Sequence, residues 1–325
     1  MTDPLRWGIL GTGAIARTFA ADLDLTDSGV AVAVGSRQAQ SAEAFGEAFQ
    51  IPRRHGTYDA LVADPEVDAV YVATPHPFHH PNTRLALDAG KPVLVEKPFT
   101  MNAAEAHDLV ATARQRGLFL MEAMWTRFLP GMVEIRQLLA DKALGDIVTV
   151  AADHGQWFPR APESRLFAPE LGGGALLDLG VYPVSFASMV LGRPARMVAL
   201  VDAAFTGVDG QTSMIFGYPG GAHAVLTCTS SARSPTVGAI VGTEARIEID
   251  SDFYALTSYT VISRGGERRR VEHPRQGNGL RYEADEVARC LRAGLRESPV
   301  MPLAESVAIM ETMDAVLALG AATSG

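Results

Sequence analysis

The chain has 325 residues, enough for two domains, and is 47% hydrophobic and 20% charged, as expected of a soluble globular protein with sizeable cores. Its net charge of -9 argues against nucleic-acid binding, and no apolar run approaches the length of a membrane span, so no membrane partner is expected. The two cysteines, Cys228 and Cys290, lie far apart, and the first six residues lack the features of a signal peptide, so a cytoplasmic location is expected.

A glycine-rich segment follows the first predicted strand, residues 6–10, and precedes an apolar-periodic helix predicted to reach about Leu25. The segment comprises Gly11, Thr12, Gly13, Ala14, Ile15 and Ala16. Its pattern, G-x-G-x-x-A between a strand and a helix, is typical of a dinucleotide-binding loop. The first glycine would make the turn, the second would let the backbone approach a pyrophosphate, and the alanine would allow close packing. We expect the helix N-terminus to bind the phosphates.

The end of the second predicted strand, residues 30–34, bears on the choice of cofactor. NAD-specific sites usually place an Asp or Glu there to hold the ribose hydroxyls, and that carboxylate would repel a 2′-phosphate. This chain has Ser36 and Arg37 instead, a hydroxyl and a guanidinium suited to phosphate. We therefore predict NADP(H) over NAD(H). The alternative is that Arg37 is solvated and the site accepts either cofactor.

Strand and helix patterns alternate as far as Met121. Helices are predicted at residues 38–49, 58–62, 82–89 and 103–116, and further strands at residues 69–73, 93–95 and 118–121. Repeated βα units predict an α/β fold with a parallel, doubly wound sheet. In such sheets ligands bind at the carboxyl ends of the strands, so the loops after residues 10, 34, 73 and 95 would share one edge.

The strand at residues 93–95 ends in Glu96, Lys97 and Pro98. Burying either charge unpaired would be costly, so this pair must lie where the strand leaves the core. Lys97 is therefore a candidate catalytic or substrate-binding group at the ligand-binding edge. The alternative is a surface Glu-Lys pair at the start of a loop.

Three histidines, His76, His79 and His80, lie in the segment 74–81, which contains too many prolines to be predicted as regular structure. No cysteine lies near them and no acidic residue shares the segment, so a metal site is not expected. Two interpretations stay open for His76 and His79: contact with the cofactor or substrate, or stabilisation of the loop.

The βα alternation stops after Met121, and we place the domain boundary near Ala123, giving domains 1–123 and 124–325. Trp125 and Arg127 are expected either to face the cleft between the domains or to pack their junction.

Runs of β character separated by short turns dominate the second domain, which predicts an α+β fold with a large, mostly antiparallel open sheet. The runs span residues 147–154, 197–205, 212–217, 222–230, 237–241, 245–249 and 259–263. Helices predicted at residues 280–295 and 303–319 would cover one face of this sheet. The strands carry apolar residues on both faces, so the other face also needs cover, which favours a homodimer.

A long irregular loop, residues 155–173, is expected to be a binding loop or lid. Its aromatic and basic residues would suit a pocket for a small polar substrate: Trp157, Phe158, Arg160 and Arg165. Asp178 and Tyr182 follow at a spacing that places both on one face of a helix. Pro183 disfavours helical geometry at Tyr182, so a loose turn with a new helix at Pro183 is the alternative. Taken alone, Tyr182 is more typical of a core tyrosine.

Three of these features together resemble the Gfo/Idh/MocA oxidoreductases over essentially the whole chain: the loop at residues 11–16, Glu96-Lys97-Pro98 and Asp178-x-Gly180-x-Tyr182. Residues 74–79 and 121–128, and the tyrosine at 182, are similar to family members that oxidise dihydrodiols or, with NADP, D-xylose. Many members have histidine where Tyr182 stands, so the resemblance moves the acid/base role to Tyr182.

The resemblance implies a Rossmann domain followed by an α+β domain whose open sheet often forms a dimer. It implies Lys97, Tyr182 and Asp178 as catalytic residues. Further cofactor contacts are expected from Thr74, Pro75, His76, His79, Glu96, Lys97, Trp125 and Arg127, and substrate contacts from Trp125, Trp157 and Phe158. The expected reaction is hydride transfer between NADP(H) and a carbinol carbon of a small sugar, polyol or trans-dihydrodiol. The alternatives are a non-catalytic NADP(H) sensor and an NAD-dependent sugar or inositol dehydrogenase.

Overall fold

The structure is a computed structural model that describes residues 3–323. This part of the chain divides into two compact units, residues 3–128 with Arg275–Val307, and Leu129–Pro274 with residues 308–323. The predicted second domain ran unbroken from residue 124 to the end, whereas in the structure the segment Arg275–Val307 belongs to the first unit. The Asp22 carboxylate accepts hydrogen bonds from the backbone N–H groups of Asn278 and Leu280, which fixes this segment there.

A parallel sheet with the strand order β3-β2-β1-β4-β5-β6 forms the centre of the first unit. Its strands are β1 (Leu5–Leu10), β2 (Gly29–Gly35), β3 (Arg53–His55), β4 (Ala69–Val72), β5 (Val93–Glu96) and β6 (Leu120–Ala123). Every neighbouring pair is parallel, and the order reverses between β1 and β4, which confirms the doubly wound Rossmann fold. The three residues of β3 are too few and too polar to show a strand period, so the sequence did not predict this strand.

Helices cover this sheet: α1 (Ala14–Leu23), α2 (Ala39–Ala48), α3 (Tyr58–Val62), α4 (His79–Asp88), α5 (Ala103–Arg116) and α8 (Arg281–Arg292). Strands β4, β5 and β6 are buried at every residue, as their apolar sequences require of strands covered on both faces. On one face, the rings of Phe19 in α1 and Tyr71 in β4 stack with their centroids 3.8 Å apart.

Helix α4 corrects one expectation, because the segment 74–81 is more regular than its prolines suggested. A 3-10 turn spans His76–Phe78, and α4 begins directly at His79. Pro81 then lies in the first turn of α4, where its missing N–H group would have no intrahelical partner in any case.

The second unit contains a sheet with the strand order β14-β13-β12-β11-β7-β10-β9-β8. Its strands are β7 (Ile147–Gly155), β8 (Arg196–Ala203), β9 (Asp209–Gly217), β10 (His223–Thr229), β11 (Gly238–Gly242), β12 (Ala245–Ile249), β13 (Ser258–Ser263) and β14 (Arg268–Glu272). All neighbours are antiparallel except β7 and β10, which confirms a mostly antiparallel sheet. The edge strand β14 was not predicted, because its three consecutive arginines show no apolar alternation.

Helices α6 (Pro130–Ala140) and α7 (Val181–Leu191) belong to the second unit, and α9 (Leu303–Thr323) continues into it from residue 308. The prediction that residues 280–295 cover this sheet is wrong, since α8 packs on α1 and β2 in the first unit. Its buried residues, including Ala284, Val287 and Ala288, form the apolar face of that contact.

The helical stretch Pro169–Leu191 is long enough to cross a membrane, and its most apolar window has a mean hydropathy of 1.5, contrary to the expectation that no segment would be so apolar. However, 78% of its most apolar window is buried inside the fold, as is typical of a core helix. A π-helical turn, Leu176–Gly180, leads directly into α7 at Val181. The alternative of a new helix starting at Pro183 is therefore wrong, because α7 begins two residues earlier and Pro183 lies in its first turn, where a missing N–H group is tolerated.

Candidate functional site

The glycine-rich loop of the first unit directly follows β1, where the strand order of the sheet reverses between β1 and β4. Gly11 has a φ of +113°, and a Cβ atom there would come within 2.8 Å of the Ala73 carbonyl oxygen. Any other residue would therefore be strained and would clash with the end of β4. A Cβ atom on Gly13 would meet no atom within 4 Å, so this position opens onto free space.

The N-terminus of α1 faces that free space. Its N-cap residue, Gly13, provides no side-chain hydrogen bond, and the first turn contains no acidic residue. The first N–H groups of the helix and the positive end of its dipole are thus available to an anion. Ala16, fully buried, lets α1 pack closely on the sheet. Together, these features fit the pyrophosphate of a dinucleotide held by Gly11, Thr12, Gly13, Ala14 and Ile15.

Ser36 and Arg37 follow β2 at the same edge of the sheet. The Ser36 hydroxyl accepts a hydrogen bond from the backbone N–H of Gln38 at 3.3 Å, and its own N–H donates to the His55 carbonyl at 3.0 Å. The exposed Arg37 guanidinium lies 5.4 Å from the centre of the Phe78 ring. Burial raises the pKa of the Tyr58 hydroxyl, and the charge of Arg37 acts in the opposite direction, so the two side chains are neighbours. The Arg37 guanidinium therefore lies at the end of β2, where a 2′-phosphate would be recognised. Neither residue 36 nor residue 37 is a carboxylate that would repel this phosphate.

The segment after β4 is held mainly by His79. This fully buried ring lies with Nδ1 2.7 Å from the Pro98 carbonyl and Nε2 2.8 Å from the Thr74 carbonyl. Burial lowers the pKa of His79 to about 4, although both carbonyl contacts act in the opposite direction. His79 therefore joins the loop after β4 to the loop after β5. This contact corresponds to the interpretation in which His79 stabilises the loop. A direct cofactor contact by His79 stays a prediction.

The other residues of this segment lie closer to the surface of the unit. His76 is 8% exposed, with its ring centre 5.6 Å from that of His79. The Thr74 hydroxyl accepts a hydrogen bond from Asn82 at 3.1 Å, and Pro75 precedes the 3-10 turn. His80 points elsewhere, since its ring lies 2.8 Å from Asp108 on α5. Cofactor contacts by Thr74, Pro75 and His76 stay predictions.

Glu96 and Lys97 lie at the carboxyl end of β5, as the sequence predicted. The Tyr71 hydroxyl and the backbone N–H of Lys97, at 3.1 Å, both donate to the buried Glu96 carboxylate. Lys97 is half-buried, and its peptide bond to Pro98 is cis. Glu96 thus anchors the turn that carries Lys97, and its carboxylate is buried rather than at the surface.

A second buried carboxyl group, Glu122 on β6, fixes the backbone just after Pro98. Its Oε1 atom accepts a hydrogen bond from the Phe99 backbone N–H at 3.1 Å. Glu122 is fully buried, and burial raises its pKa to about 7. The turn at Lys97 is therefore held from both sides of the sheet.

Trp125 and Arg127 lie in a buried 3-10 turn, Trp125–Phe128, within the first unit. The Arg127 guanidinium lies 2.7 Å from the Glu305 carboxylate, and its side chain is only 3% exposed. This ion pair attaches the turn to the start of α9. Direct contact of Trp125 or Arg127 with the cofactor, and of Trp125 with the substrate, stays a prediction.

In the second unit, Tyr182 belongs to a cluster of three rings. Its ring centre lies 5.3 Å from that of His154 and 5.0 Å from that of Tyr254, and the last two rings stack at 4.5 Å. Tyr182 is 7% exposed and His154 is 1% exposed. Three remote segments, the end of β7, the start of α7 and the turn Phe253–Ala255, therefore fix the phenol.

Sequence reasoning did not assign a role to His154 or Tyr254. The only signal for His154 was its position near the end of strand β7, after a mainly apolar run. No signal pointed to Tyr254, because nearly a hundred residues separate it from β7.

Asp178 lies on the π-helical turn and forms an ion pair with Arg165 of the preceding loop. The guanidinium contacts both carboxylate oxygens, at 2.9 and 3.2 Å, and Asp178 is 5% exposed. Such a bidentate pair fixes the loop 155–173 to the start of the helix that carries Tyr182. In the same loop, Trp157 is 65% exposed and Phe158 is half-buried. Their substrate contacts, and Asp178 as a catalytic residue, stay predictions.

Among residues 3–323, no group of three or more His, Cys, Asp or Glu side chains is arranged to hold a metal ion. Both cysteines, Cys228 and Cys290, are buried and free.

Comparisons with known proteins cover nearly all of the chain. Residues 5–124 match a family model described as an oxidoreductase family with an NAD-binding Rossmann fold, GFO_IDH_MocA. Residues 132–248 match the GFO/IDH/MocA C-terminal domain.

Two curated proteins are similar over almost their whole length. Trans-1,2-dihydrobenzene-1,2-diol dehydrogenase of Mus musculus is 41% identical over 95% of each chain. D-xylose 1-dehydrogenase (NADP(+)) of Hypocrea jecorina is 39% identical over 98% of this chain and 93% of that protein. Among solved structures, KijD10, a 3-ketoreductase from Actinomadura kijaniata in complex with NADP and TDP-benzene, has a TM-score of 0.84 at 27% identity. It is matched over 97% of this chain and 98% of its own.

Proposed function

The chain belongs to the Gfo/Idh/MocA family of oxidoreductases, and we propose that it transfers a hydride between NADP(H) and a carbinol carbon of a small sugar, polyol or trans-dihydrodiol. The observation that carries this proposal is the uncapped N-terminus of α1 behind the open Gly13, at the point where the strand order reverses. The names of the relatives support the substrate class, since they act on a dihydrodiol and on D-xylose.

The preference for NADP(H) rests on the strand end after β2. Arg37 is exposed there with its guanidinium over the Phe78 ring, and Ser36 lies beside it. A guanidinium binds a 2′-phosphate through charge-assisted hydrogen bonds. The NADP named for the xylose dehydrogenase and the NADP bound to the ketoreductase are consistent with this assignment.

Tyr182 is proposed as the acid/base of the reaction. When NADP(H) is bound, its nicotinamide supplies or accepts the hydride, and the protein manages the proton. During oxidation the Tyr182 phenolate would take the proton from the substrate hydroxyl. A free phenol has a pKa of about 10, which is high for a base at neutral pH. A cationic group near Tyr182 would stabilise the phenolate and lower that pKa.

Lys97 is proposed to be that cation. The mechanism requires Lys97 and Tyr182 to contact one substrate, with the ammonium stabilising the phenolate and hydrogen-bonding the substrate oxygen. Glu96 would order the turn that carries Lys97, consistent with its contacts to Tyr71 and to the Lys97 backbone. Asp178, which is paired with Arg165, would orient Lys97 or the substrate hydroxyls. It would also stabilise the start of the helix that carries Tyr182.

The test is spectroscopic measurement of NADP+ reduction with aldoses, polyols, inositols and trans-dihydrodiols, with NAD+ in parallel. Turnover with NADP+ and one class of compound is the expected result and identifies the substrate class. Tight NADPH binding without turnover of any substrate, or of the matching carbonyl compounds with NADPH, would favour a non-catalytic sensor. Preferential turnover with NAD+ would favour an NAD-dependent sugar or inositol dehydrogenase.

A homodimer through the open sheet is proposed as the assembly. Side chains on the outer face of this sheet are apolar and exposed: Val198, Leu200, Ile215 and Val225. They lie on the adjacent strands β10, β9 and β8, and Ile215 pairs with Val225 on one side and with Val198 on the other, so they form one continuous patch. Exposed patches of this kind mark association surfaces. A cytoplasmic location is also proposed, supported by the two free cysteines.

A further inference from the structure

Glu283, in the first turn of α8, has no role in the mechanism above. Its side chain is fully buried in the first unit. Within residues 3–323, neither of its carboxyl oxygens has a hydrogen-bond partner. Burying an ionised carboxylate under these conditions is costly, so the charge state of this residue needs a physical explanation.

The groups that surround Glu283 are acidic rather than basic. Helix α8 packs on α1, on β2 and on the turn Trp125–Phe128. Helix α1 contributes Asp22, which is 1% exposed. Its carboxylate accepts hydrogen bonds from backbone N–H groups just before α8. Strand β2 contributes no titratable group, and the turn contributes Arg127, which pairs with Glu305.

Glu96 is the nearby carboxyl group with a place in the proposed mechanism. Burial is the main cause that raises the pKa of Glu283 well above its usual value, and the charges of Glu96 and then Asp22 raise it further. Glu96 differs from Glu283 because the Tyr71 hydroxyl and the Lys97 backbone donate to it. Those donors stabilise the carboxylate form of Glu96, whereas Glu283 has none.

We propose that Glu283 is a positioning residue that remains a neutral acid close to Glu96. In this state it lets Glu96 keep the hydrogen bonds that hold the turn of Lys97 in place. This inference rests on the proposed function, in which Lys97 acts on the substrate. If Glu283 ionised, its charge would repel Glu96 from the Tyr71 hydroxyl and from the Lys97 N–H. The turn that presents Lys97 would then lose its anchor, so activity should fall as Glu283 loses its proton.

Glu283→Gln tests this inference, because glutamine has the same size and stays uncharged at every pH. We expect the variant to keep the wild-type turnover number within about twofold at neutral pH, since it reproduces the neutral acid. The alkaline fall of the turnover number should begin at least about one pH unit higher than in the wild type. A purely structural role for Glu283 would change thermal stability without moving this limb of the pH profile.

Glu286→Gln is the matched control, three residues along the same helix. Burial acts to raise the pKa of Glu286, but hydrogen bonds from Arg289 and Ser298 outweigh it, and the pKa is lowered. Ionised Glu286 therefore stabilises the fold above the pKa of the unfolded chain, and this stability is lost as the pH falls. The control should melt at a lower temperature than the wild type at neutral pH, and its alkaline activity limb should not move.

The pH dependence of the melting temperature should have the opposite direction for Glu283, because its stabilising contribution is lost as the pH rises. Its stabilising contribution is present below the unfolded pKa of about 4.3 and is lost as the pH rises towards the raised pKa of the folded state. The melting temperature of Glu283→Gln minus that of the wild type should therefore increase with pH above that value. A difference that stays constant with pH would overturn the neutral-acid assignment, and an unmoved alkaline limb would overturn the positioning role.

Failure of the proposed function would give a different result from failure of this inference. A wild type that turns over no substrate would refute the proposed function alone. NADPH affinity then replaces turnover as the readout, because the turn of Lys97 is also a predicted cofactor contact. Glu283→Gln should retain NADPH binding to a higher pH than the wild type, and identical affinity profiles would overturn the inference.

Discussion

The two units of this protein build their candidate functional residues into opposite kinds of environment. In the first unit, the parallel sheet is buried on both faces, and the candidate residues follow strand ends at one edge of it. In the second unit, one sheet face is apolar and exposed, and Tyr182 lies on a helix among rings from distant segments. The first arrangement is set by backbone geometry and the second by side-chain packing.

The difference determines what each unit can contribute. Backbone N–H groups at a helix N-terminus and a fixed guanidinium suit the binding of phosphates, which are the same in every substrate complex. A buried phenol held by ring contacts suits proton transfer, since its surroundings can be changed without disturbing the cofactor. We therefore expect substitutions in the two units to separate cofactor binding from chemistry.

Lys97→Met should have the largest effect. It removes the ammonium that is proposed to stabilise the Tyr182 phenolate, while the backbone that binds the cofactor is left intact. Loss of assisted proton transfer typically costs a factor of about 10² to 10⁴, so the turnover number should fall by at least about 10². Fluorescence titration should show NADPH affinity changed by only a few fold.

Lys91→Met is the control for this prediction. Lys91 precedes the opposite end of β5 and hydrogen-bonds the Asp64 and Val67 carbonyls. Its replacement should lower thermal stability without a comparable loss of turnover. Near-normal turnover in Lys97→Met would exclude a catalytic role for Lys97.

Arg37→Ala should have an intermediate effect that is confined to cofactor binding. A hydrogen bond to a charged group contributes about 1.5 to 3 kcal/mol, so NADPH affinity should fall by about 10- to 100-fold while NADH affinity stays constant. Isothermal titration with both cofactors measures the ratio. Arg54→Ala is the control, because Arg54 on β3 pairs with Glu43 and should leave the ratio unchanged. Full retention of the NADPH preference in Arg37→Ala would remove the argument from this residue.

Leu200→Lys should have the smallest effect on the chemistry. Leu200 is 64% exposed on β8, so lysine fits there without disturbing the core. A charge in the apolar patch should shift the dimer towards monomer in sedimentation velocity measurements. Val133→Lys, at a 46% exposed position on α6, adds the same charge away from the sheet and should leave the mass unchanged. A wild-type monomer, or a dimer that Leu200→Lys does not weaken, would refute association through this face.

Local signals predicted most of the first unit. Helix α5 begins and ends where the sequence indicated, because Asn102 caps its first turn by accepting from the Glu105 N–H, and Gly117 adopts a left-handed conformation at its end. The glycine-rich loop was predictable for the same reason, since each residue serves the backbone next to it. The start of α4 was missed because a proline in a first turn gives the same signal as a proline in a loop.

Long-range packing limited the rest of the prediction. The return of α8 to the first unit depends on Asp22, more than 250 residues earlier in the chain. The ring cluster around Tyr182 depends on His154 and Tyr254, and neither residue has a local pattern that reveals its partner. The burial of Glu283 was equally invisible, because a glutamate in the first turn of a helix normally faces solvent and the positive end of the dipole.

The division of roles between the two units is tested most directly by Tyr182→Phe. The phenylalanine ring keeps the contacts with His154 and Tyr254 and removes only the hydroxyl. NADPH affinity and turnover should be measured on the same preparation, with Tyr218→Phe, a buried tyrosine elsewhere in the second unit, as control. The account predicts wild-type NADPH affinity with a turnover number lowered by about 10² to 10⁴. Turnover within a few fold of the wild type would contradict it and would assign the proton to another group.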